Sequence, residues 1–267
     1  MLQQTIERAI QCSKVSSKLK IVTTNNFLKN AKDQINIFND LCIKKNIICE
    51  PFARNTAAAI IYSTLNIYGE YGSNSICWVM PSDHHINKEE NLIKSLAIAY
   101  EHALKGKIVT FGIKPKYPET GYGYINFNGS GDANKIERFV EKPDLNMAKK
   151  YMNSGKYLWN SGMFVFRCDE LIKEFEKHAP EILRMVKDYM RSKNSDIYEA
   201  IENLGFDKAV MEKTENGVVI KCDIDWSDIG CHKKLNEIYK DNDNIRKFII
   251  SRHPQIYEIN NNYASSG

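Results

Sequence analysis

The chain has 267 residues, of which 43% are hydrophobic and 26% are charged, and its formal net charge is +4. This composition is ordinary for a globular protein, and the length suffices for one large domain or a domain with an appendage. No lysine-arginine block stands out and no apolar run approaches the length of a membrane span, so we expect neither nucleic acid nor membrane as a partner. The mildly positive charge suits an anionic small-molecule ligand.

The seven cysteines include no C-x-x-C pair, and most of them lie in apolar segments. This pattern indicates buried, reduced thiols and argues against a disulfide framework or a zinc site. The amphipathic N-terminus carries a single arginine, Arg8, beside the acidic Glu7. Transit peptides are poor in acidic residues, so we interpret residues 1–12 as a helix of the domain and expect a cytoplasmic protein.

Segments of helical and strand-like periodicity alternate through the first half of the chain. Helices are predicted at 2–10, 27–42, 57–68 and 92–104, and strands at 19–23, 46–50, 75–80 and 108–113. This alternation is typical of an α/β protein in which helices cover a parallel sheet. The run at 75–80 is apolar throughout, as expected of a strand that is covered on both faces.

The pattern changes after residue 113. Residues 122–128 and 135–141 are both strand-like, and only the turn NGSG at 128–131 separates them. This predicts antiparallel strands added to the parallel core. Helical segments that are broken at Pro180 and at 193–196 then predict an outer helical layer. The remaining predicted elements are a short helix at 146–153 and strands at 163–167 and 218–224.

The stretch from Phe111 to Phe166 concentrates residues whose chemistry suits a ligand. Gly121 and Gly123 lie in a turn-rich segment (PETGYGYI). Because glycine has no Cβ, the backbone at these positions can lie close against a ligand. Glycine is also common in turns that bind nothing, so this segment alone does not distinguish a site from an ordinary turn.

An acidic residue, a basic residue and an amide follow in the same stretch. Glu141 and Lys142 end a predicted strand, and Pro143 restricts Lys142 to extended geometry. Asn160 lies at the mouth of the next predicted strand. An ammonium group suits a phosphate, whereas a carboxylate and an amide suit hydroxyls, so the set fits a phosphorylated sugar. Each of these motifs alone is more often part of a surface turn, but their occurrence together favours a ligand-binding site.

A second candidate segment precedes the helix predicted at 57–68. It contains Arg54, Asn55 and Thr56, with Asn55 as the expected N-cap. The unpaired N–H groups at a helix N-terminus suit an anion or a base rich in carbonyl groups. A well-capped helix without any ligand explains the segment equally well.

Two aspartates follow predicted strands. Asp83 comes after the apolar strand at 75–80, and Asp228 comes after the strand at 218–224. Open α/β sheets bind ligands beyond the carboxyl ends of their strands, and a hard carboxylate there suits Mg²⁺. A turn or capping role is the alternative for each aspartate.

Taken together, these motifs resemble a known family. The segments TGYGYI (120–125), FVEKPD (139–144) and YLWNSGMF (157–164) are similar to those of the mannose-1-phosphate guanylyltransferases, or GDP-mannose pyrophosphorylases, of the sugar nucleotidyltransferase superfamily. The resemblance extends from Leu2 to Gly230 and therefore covers most of the chain.

This resemblance implies a fold and a domain organisation. The implied fold is an α/β, Rossmann-like nucleotidyltransferase domain of the GT-A-like type, with a mixed, mainly parallel sheet and an antiparallel insertion. The domain is expected to span residues 1–240. The asparagine-rich composition beyond it separately predicts a partly disordered tail at 241–267.

The resemblance also implies an activity and a set of site residues. The implied enzyme forms GDP-mannose and pyrophosphate from GTP and mannose 1-phosphate, with Mg²⁺ as cofactor. Catalytic roles are implied for Lys142 and for the two aspartates. The implied contacts are the sugar phosphate at Lys142, the sugar at Gly123, Glu141 and Asn160, the nucleotide at Arg54, Asn55 and Thr56, and the metal at Asp83 and Asp228.

Members of this family begin with a strand and a Gly-rich loop that holds the nucleotide triphosphate, and this sequence starts just after that place. We therefore expect little guanylyltransferase activity from this chain alone, and two strand edges left unpaired beside an apolar slot. The alternatives are a catalytically impaired subunit or truncated remnant that binds sugar phosphate and nucleotide, or a pyrophosphorylase for another hexose 1-phosphate. The oligomeric state is open, with a homo-oligomer among the options.

Overall fold

The structure is a computed structural model that describes residues 1–13 and 18–228. The predicted tail at 241–267 and the last residues of the predicted domain lie outside this part of the chain. Among the described residues, no helix combines the length and the apolar character needed to cross a lipid bilayer.

Helices and strands alternate along the chain, as the periodicity predicts. The helices are α1 (Leu2–Ser13), α2 (Leu28–Ile35), α3 (Leu41–Lys45), α4 (Asn55–Tyr71), α5 (Glu89–Leu104), α6 (Leu145–Ser154), α7 (Cys168–His178), α8 (Pro180–Ser192) and α9 (Ser195–Glu199). The strands are β1 (Ile21–Thr24), β2 (Ile47–Glu50), β3 (Ile76–Val79), β4 (His85–Ile86), β5 (Ile108–Ile113), β6 (Tyr124–Asn128), β7 (Ala133–Val140), β8 (Tyr157–Arg167), β9 (Gly217–Lys221) and β10 (Trp226–Ser227). A 3-10 turn lies at Asn25–Phe27, and a π-helical turn lies at Asp207–Met211.

Six strands form the main sheet, in the order β3-β8-β5-β9-β7-β6, while β1 pairs with β2 and β4 with β10. The pairs β1–β2 and β5–β9 are parallel, and the other described pairs are antiparallel. The α/β class and the mixed sheet are confirmed, but antiparallel pairing is more frequent than the sequence indicated. The reason is β8: β3 and β5 run in the same direction, and β8 runs back between them.

The β6–β7 hairpin is present where the sequence predicts it. Its two strands pair from Tyr124 opposite Val140 to Asn128 opposite Lys135. The hairpin is not a separate unit, because β7 also pairs with β9 and β6 also pairs with β8. It therefore extends the main sheet and brings the turn before β6 next to the middle of β8.

The strand β8 is longer than the sequence predicts, since it begins at Tyr157 rather than at Met163. Asn160 consequently lies within the strand and not at its mouth. Gly162, with a left-handed φ of 72°, lies opposite a shift in the β5–β8 register between Thr110 and Gly112. Asparagine and glycine are poor strand formers, and an irregular pairing of this kind leaves no periodic signal in the sequence.

Helices cover both faces of the main sheet. One face carries α4, α7 and α8, and its core includes the fully buried Phe166 and Phe175. The other face carries α5 and α6, and its core includes the fully buried Phe111 and Tyr124. Each phenylalanine buried in this way contributes about 1.5–3 kcal/mol to folding. The result is a three-layer α/β/α sandwich.

Two strand edges face one cleft. Among the described strands, β3 pairs only with β8, and β1 pairs only with β2. Residues 21–24 and 75–80 both line the cleft, which is also bordered by apolar residues of α4 and α5, among them Ile60 and Leu96. Each of these two strands therefore has one edge that pairs with no other described strand. Such edges are sites where further chain can pair.

A buried acid–phenol pair joins β2 to α9. Glu50 ends β2, Tyr198 lies in α9, and the Tyr198 hydroxyl donates to Glu50 Oε1 over 2.5 Å. Both residues are buried. Burial raises the pKa of Glu50 to about 7 from its ordinary value of 4.5, against the opposing effect of the Tyr198 hydrogen bond. The neutral carboxyl is therefore the form that the fold favours.

The pair predicts how stability depends on pH. Because the folded state holds the Glu50 proton more tightly than the unfolded state, its contribution is complete below pH 4.5 and is lost as the pH rises through about 7. The Glu50→Gln variant keeps an acceptor for Tyr198 without the charge, so its melting temperature should exceed that of the wild type increasingly between pH 5 and pH 8. Thermal unfolding followed by circular dichroism tests this, with Glu199→Gln at an exposed position of α9 as control. A Glu50→Gln variant that melts below the wild type at pH 8 contradicts the prediction.

Candidate functional site

One large cleft contains most of the residues that the sequence selects. Its volume is about 1490 Å³, which exceeds the roughly 300–1,000 Å³ typical of small-molecule pockets. The predicted sugar, nucleotide and metal residues that line it are Thr56, Gly123, Glu141, Lys142, Asn160 and Asp228. Asp83, Arg54 and Asn55 are not among the residues that line it.

Gly123 makes room for the Glu141 carboxylate. A Cβ at position 123 would lie 2.8 Å from Glu141 Oε2 and 3.0 Å from a ring carbon of Phe139. Any larger residue would therefore displace the carboxylate from its place beside the cleft. The Gly123 carbonyl also accepts from the Asn160 N–H over 2.8 Å, so the turn is joined directly to β8. Gly123 thus acts through its neighbours Glu141 and Asn160.

Lys142 does not have the extended geometry expected before a proline. Its φ is 48°, in the left-handed region, and β7 already ends at Val140. The Lys142 N–H donates to the Tyr122 carbonyl over 3.2 Å, and Asp144 then caps α6 by accepting from the Met147 N–H over 2.9 Å. The chain must pass from strand to helix within a few residues, and the left-handed residue allows this sharp change of direction.

The conformation of Lys142 carries a cost that bears on function. A non-glycine residue in a sparsely populated backbone region costs about 1–3 kcal/mol, and such residues cluster at functional sites. The Lys142 side chain is 62% exposed at the cleft, and its Nζ lies 3.3 Å from Glu141 Oε1. An ammonium group is thus available to an anion in the cleft.

Asn160 is held at both ends of its amide. Its Oδ1 accepts from the Thr110 hydroxyl over 2.8 Å, and its Nδ2 donates to Asp207 Oδ1 over 2.9 Å. Thr110 is fully buried and Asn160 is 9% exposed. An amide offers two N–H groups and one oxygen with two lone pairs, so one N–H and one acceptor position remain for a ligand hydroxyl.

Strand pairing brings the two aspartates into one region. In the β4–β10 pair, Ser227 lies opposite His85, so that Asp228 continues this register towards His84, which follows Asp83. Residues opposite each other in an antiparallel pair have Cα atoms about 4.5–5.5 Å apart. Asp83 and Asp228 both act electrostatically on His84, where they oppose the lowering of its pKa by burial.

Neighbouring aromatic residues hold this region in place. The Tyr122 hydroxyl donates to Asp228 Oδ1 over 2.5 Å, and the Trp226 indole donates to His84 Nδ1 over 3.0 Å. Burial, followed by the interaction with Asp228, raises the pKa of Tyr122 far above its usual range, so this phenol remains a donor. Tyr122 therefore orients one Asp228 oxygen at the cleft wall.

The two aspartates carry oxygen donors of the type that Mg²⁺ takes. Mg²⁺ is usually held by one or two carboxylates with waters and substrate phosphates, rather than by a cage made of protein ligands alone. Asp83 and Asp228 each offer one carboxylate, and the described residues include no group of three or more His, Cys, Asp or Glu that could hold a metal ion. Asp83 is exposed and Asp228 is half-buried.

The segment before α4 differs from the prediction in its cap. The helix begins at Asn55 itself, which has a left-handed φ of 63°, and Arg54 occupies the capping position without a side-chain cap. The Asn55 Oδ1 instead accepts from the Thr56 N–H over 2.8 Å, and Thr56 Oγ1 accepts from the Phe206 N–H over 2.9 Å. Arg54 has a buried Nε without a hydrogen-bond partner.

Four residues of this region were not selected from the sequence. Tyr122 donates to Asp228, Thr110 and Asp207 hold Asn160, and Glu212 Oε1 accepts from the Glu141 N–H over 3.0 Å. The roles of Thr110, Asp207 and Glu212 are revealed only by contacts between distant parts of the chain. Tyr122 lies between Gly121 and Gly123, so its hydroxyl could have been selected from the sequence as a hydrogen-bonding group near the ligand.

Comparison with known proteins identifies the family and several relatives. Residues 1–244 match the family model described as Nucleotidyl transferase. A mannose-1-phosphate guanylyltransferase from Sinorhizobium fredii (strain NBRC 101917 / NGR234) is 35% identical over 243 residues, covering 86% of this chain and 46% of that protein. The xanthan biosynthesis protein XanB from Xanthomonas campestris pv. campestris (strain B100) is 40% identical over 202 residues, covering 72% and 43%. The chain thus spans about half the length of the curated relatives that it matches.

Solved structures agree with this match. A structure described as mannose-1-phosphate geranyltransferase from Thermus thermophilus has a TM-score of 0.79 at 27% identity, covering 89% of this chain and 68% of that one. A UDP-glucose pyrophosphorylase with bound UDP-glucose, at a TM-score of 0.51 and 15% identity over 90% of this chain and 86% of that one, is similar in fold alone. The family match over residues 1–244, together with these relatives, shows that the chain belongs to the nucleotidyl transferase family.

Proposed function

We propose that this chain binds mannose 1-phosphate and GTP in the cleft and aligns them for the reaction that forms GDP-mannose and pyrophosphate. The observation that carries this proposal is the convergence of Glu141, Lys142 and Asn160 on one wall of the cleft. A carboxylate and an amide offer partners to sugar hydroxyls, and the ammonium group offers one to the phosphate. The relatives named as mannose-1-phosphate guanylyltransferases support mannose as the sugar.

The chemistry requires positioning more than proton transfer. A phosphate oxygen of mannose 1-phosphate forms a bond to the α-phosphorus of GTP, and the bond from that phosphorus to the β-phosphate oxygen breaks. The electron pair of the broken bond leaves with pyrophosphate. Because the attacking phosphate is already anionic, no protein base is needed, and the protein contributes alignment and charge neutralisation. Lys142 would hold the attacking group, while Glu141 and Asn160 would orient the sugar.

Asp83 and Asp228 would hold Mg²⁺, which neutralises phosphate charge when it is bound. The Tyr122 hydroxyl would keep one Asp228 oxygen oriented for this role. Arg54, Asn55 and Thr56 would contact the nucleotide, with Thr56 at the cleft wall. The unpartnered Arg54 Nε and the position of these residues at the start of α4 support an anionic or carbonyl-bearing ligand there.

Binding of mannose 1-phosphate tests this proposal. Titration calorimetry should show binding to the wild type and weaker binding to Lys142→Ala, because the variant lacks the ammonium partner of the phosphate. A hydrogen bond to a charged group contributes about 1.5–3 kcal/mol, and we expect the lower end of that range since Lys142 is 62% exposed. Lys150→Ala, at an exposed position of α6, serves as the control and should bind as the wild type does.

Three outcomes of titrations with sugar phosphates contradict the proposal in different ways. Absence of binding by the wild type removes mannose 1-phosphate as a ligand of this chain. Equal affinity of the wild type and Lys142→Ala removes Lys142 from the site but leaves the ligand. Tighter binding of glucose 1-phosphate than of mannose 1-phosphate would favour a pyrophosphorylase for another hexose.

Removal of one metal-binding carboxylate should separate nucleotide binding from folding. Asp228→Asn keeps the acceptor for Tyr122 but removes the charge, so it should weaken GTP binding in Mg²⁺ and leave the weaker binding in excess EDTA unchanged. Asp223→Asn, at an exposed residue paired with Lys88, is the matched control. Fluorescence titration with a labelled GTP measures both conditions. The metal assignment fails if Asp228→Asn and Asp223→Asn respond equally to Mg²⁺.

A further inference from the structure

A π-helical turn, Asp207–Met211, lies beside the wall of the cleft that carries Glu141, Lys142 and Asn160, which we call the sugar wall. Its defining hydrogen bond runs from the Glu212 N–H to the Asp207 carbonyl over 2.8 Å. Turns of this kind are rare and concentrate at functional sites, because they place side chains where a regular helix would not. None of its residues has a role in the reaction as proposed above.

Both ends of the turn contact residues of the sugar wall. At its start, Asp207 Oδ1 accepts from Asn160 Nδ2 over 2.9 Å. At its end, Glu212 Oε1 accepts from the Glu141 N–H over 3.0 Å. Asn160 lies in β8 and Glu141 follows β7, so the turn ties together two residues that are held by different strands.

The contact with Asp207 determines which way the Asn160 amide faces. An ionised carboxylate only accepts hydrogen bonds, so it requires the amide NH₂ on its side. The Asn160 oxygen then faces Thr110, whose hydroxyl donates to it over 2.8 Å. The Thr110 hydroxyl also lies 2.9 Å from the Met163 carbonyl, so this hydroxyl could be satisfied without Asn160. Asp207, rather than Thr110, is therefore the group that prevents the amide from turning over.

The orientation of the amide decides what a sugar hydroxyl meets. With the amide held as described, one N–H and one lone pair of Asn160 are still available, each at a fixed place on the cleft wall. If the amide turned over, donor and acceptor would exchange places. Sugars that differ in the direction of a single hydroxyl would then no longer be distinguished, because a buried polar site rejects a ligand mainly by leaving groups unpaired.

We propose that Asp207 is a positioning residue for substrate recognition, which acts by fixing the orientation of the Asn160 amide against the hydroxyls of the bound sugar. This proposal rests on the proposed function of the cleft as a site for mannose 1-phosphate. Glu212 has the parallel role of holding the backbone of Glu141. The π-helical turn is thereby the element that joins the two hydroxyl-binding residues.

The charge of Asp207 provides a further readout. Burial and then the nearby Glu141 raise the pKa of Asp207 to about 7, with Lys142 acting in the opposite direction and Glu212 in the same direction as Glu141. The ionised form, which accepts from Asn160, is therefore present above about pH 7 and is lost below it. Affinity that depends on this form should rise with pH in the wild type, beyond any change due to the phosphate of the ligand itself.

A double-mutant cycle tests the proposal with the full chain and mannose 1-phosphate. Calorimetry would compare the wild type, Asp207→Ala, Asn160→Ala and the double variant, with Lys208→Ala on the same turn as the control. We expect Asp207→Ala to bind about tenfold more weakly, and to have no further effect once Asn160 is alanine, because residues that act through one another are not additive. The preference for mannose 1-phosphate over glucose 1-phosphate should shrink in Asp207→Ala but not in Lys208→Ala.

The conservative variant Asp207→Asn shows whether weaker binding by Asp207→Ala reflects the lost contact with Asn160 or a loss of folding. Its amide oxygen can still accept from Asn160, so it should regain part of the affinity, while the ratio of wild-type to variant affinity should rise with pH through about 7. Additive effects of the two alanine substitutions, or a ratio that is flat between pH 6 and pH 8, overturn the role of Asp207 while mannose 1-phosphate still binds the wild type. A wild type that does not bind mannose 1-phosphate overturns the proposed function and this role together.

Discussion

The sugar wall of the cleft depends on the register between β6 and β8. Tyr124 lies opposite Trp159, and one residue beyond this pair the Asn160 N–H donates to the Gly123 carbonyl over 2.8 Å. Side chains alternate between the two faces of a strand, so a slip of one residue would turn Asn160 away from Asp207 and Thr110. Because β8 also pairs with β3 and β5, this register is held on both sides.

Close packing next to this strand pair determines where the charged groups of Glu141 and Lys142 lie. Gly123 leaves the space that the Glu141 carboxylate occupies, and the left-handed backbone at Lys142 turns the chain from β7 into α6. Tyr122 precedes Gly123 in the same turn, and its hydroxyl donates to Asp228, which lies near the end of the described chain. The turn between β5 and β6 is therefore the meeting point of the sugar wall and the two aspartates.

The cleft extends beyond the wall that carries Glu141, Lys142 and Asn160. Its volume of about 1490 Å³ includes the space beside the sugar wall and also the space between the edges of β1 and β3. Where β1 and β3 face this space, no described strand pairs with them, and the helices on either side present apolar residues such as Ile60 and Leu96 to it. The sugar wall is built from continuous pairing and buried contacts, whereas the opposite wall consists of open edges.

The sequence predicts the elements better than their arrangement. Periodicity locates α4, α5 and the β6–β7 hairpin, since each has a clear apolar face or turn signal. It does not show that β8 runs between β3 and β5, because pairing partners are set by tertiary contacts. It also places Asn160 at a strand mouth, since the irregular pairing opposite Gly162 hides the first half of β8.

For the candidate site, too, the sequence predicts the residues better than their geometry. Gly123, Glu141, Lys142 and Asn160 can be selected from short motifs, because their chemistry and spacing in the sequence are visible there. The geometry of Lys142 could not be predicted, since the proline rule favours an extended residue and the turn into α6 overrides it. The role of Asp207 could not be predicted, because it depends on a contact with a strand that lies far from it in the sequence.

The most direct test of this account is a crystal structure of the protein with mannose 1-phosphate. The phosphate should lie within hydrogen-bonding distance of Lys142 Nζ, with sugar hydroxyls against the Glu141 carboxylate and the Asn160 amide. The Asn160 amide should keep its bond to Asp207 in that complex. A sugar phosphate bound elsewhere in the cleft, with no contact to Lys142, Glu141 or Asn160, would contradict the account.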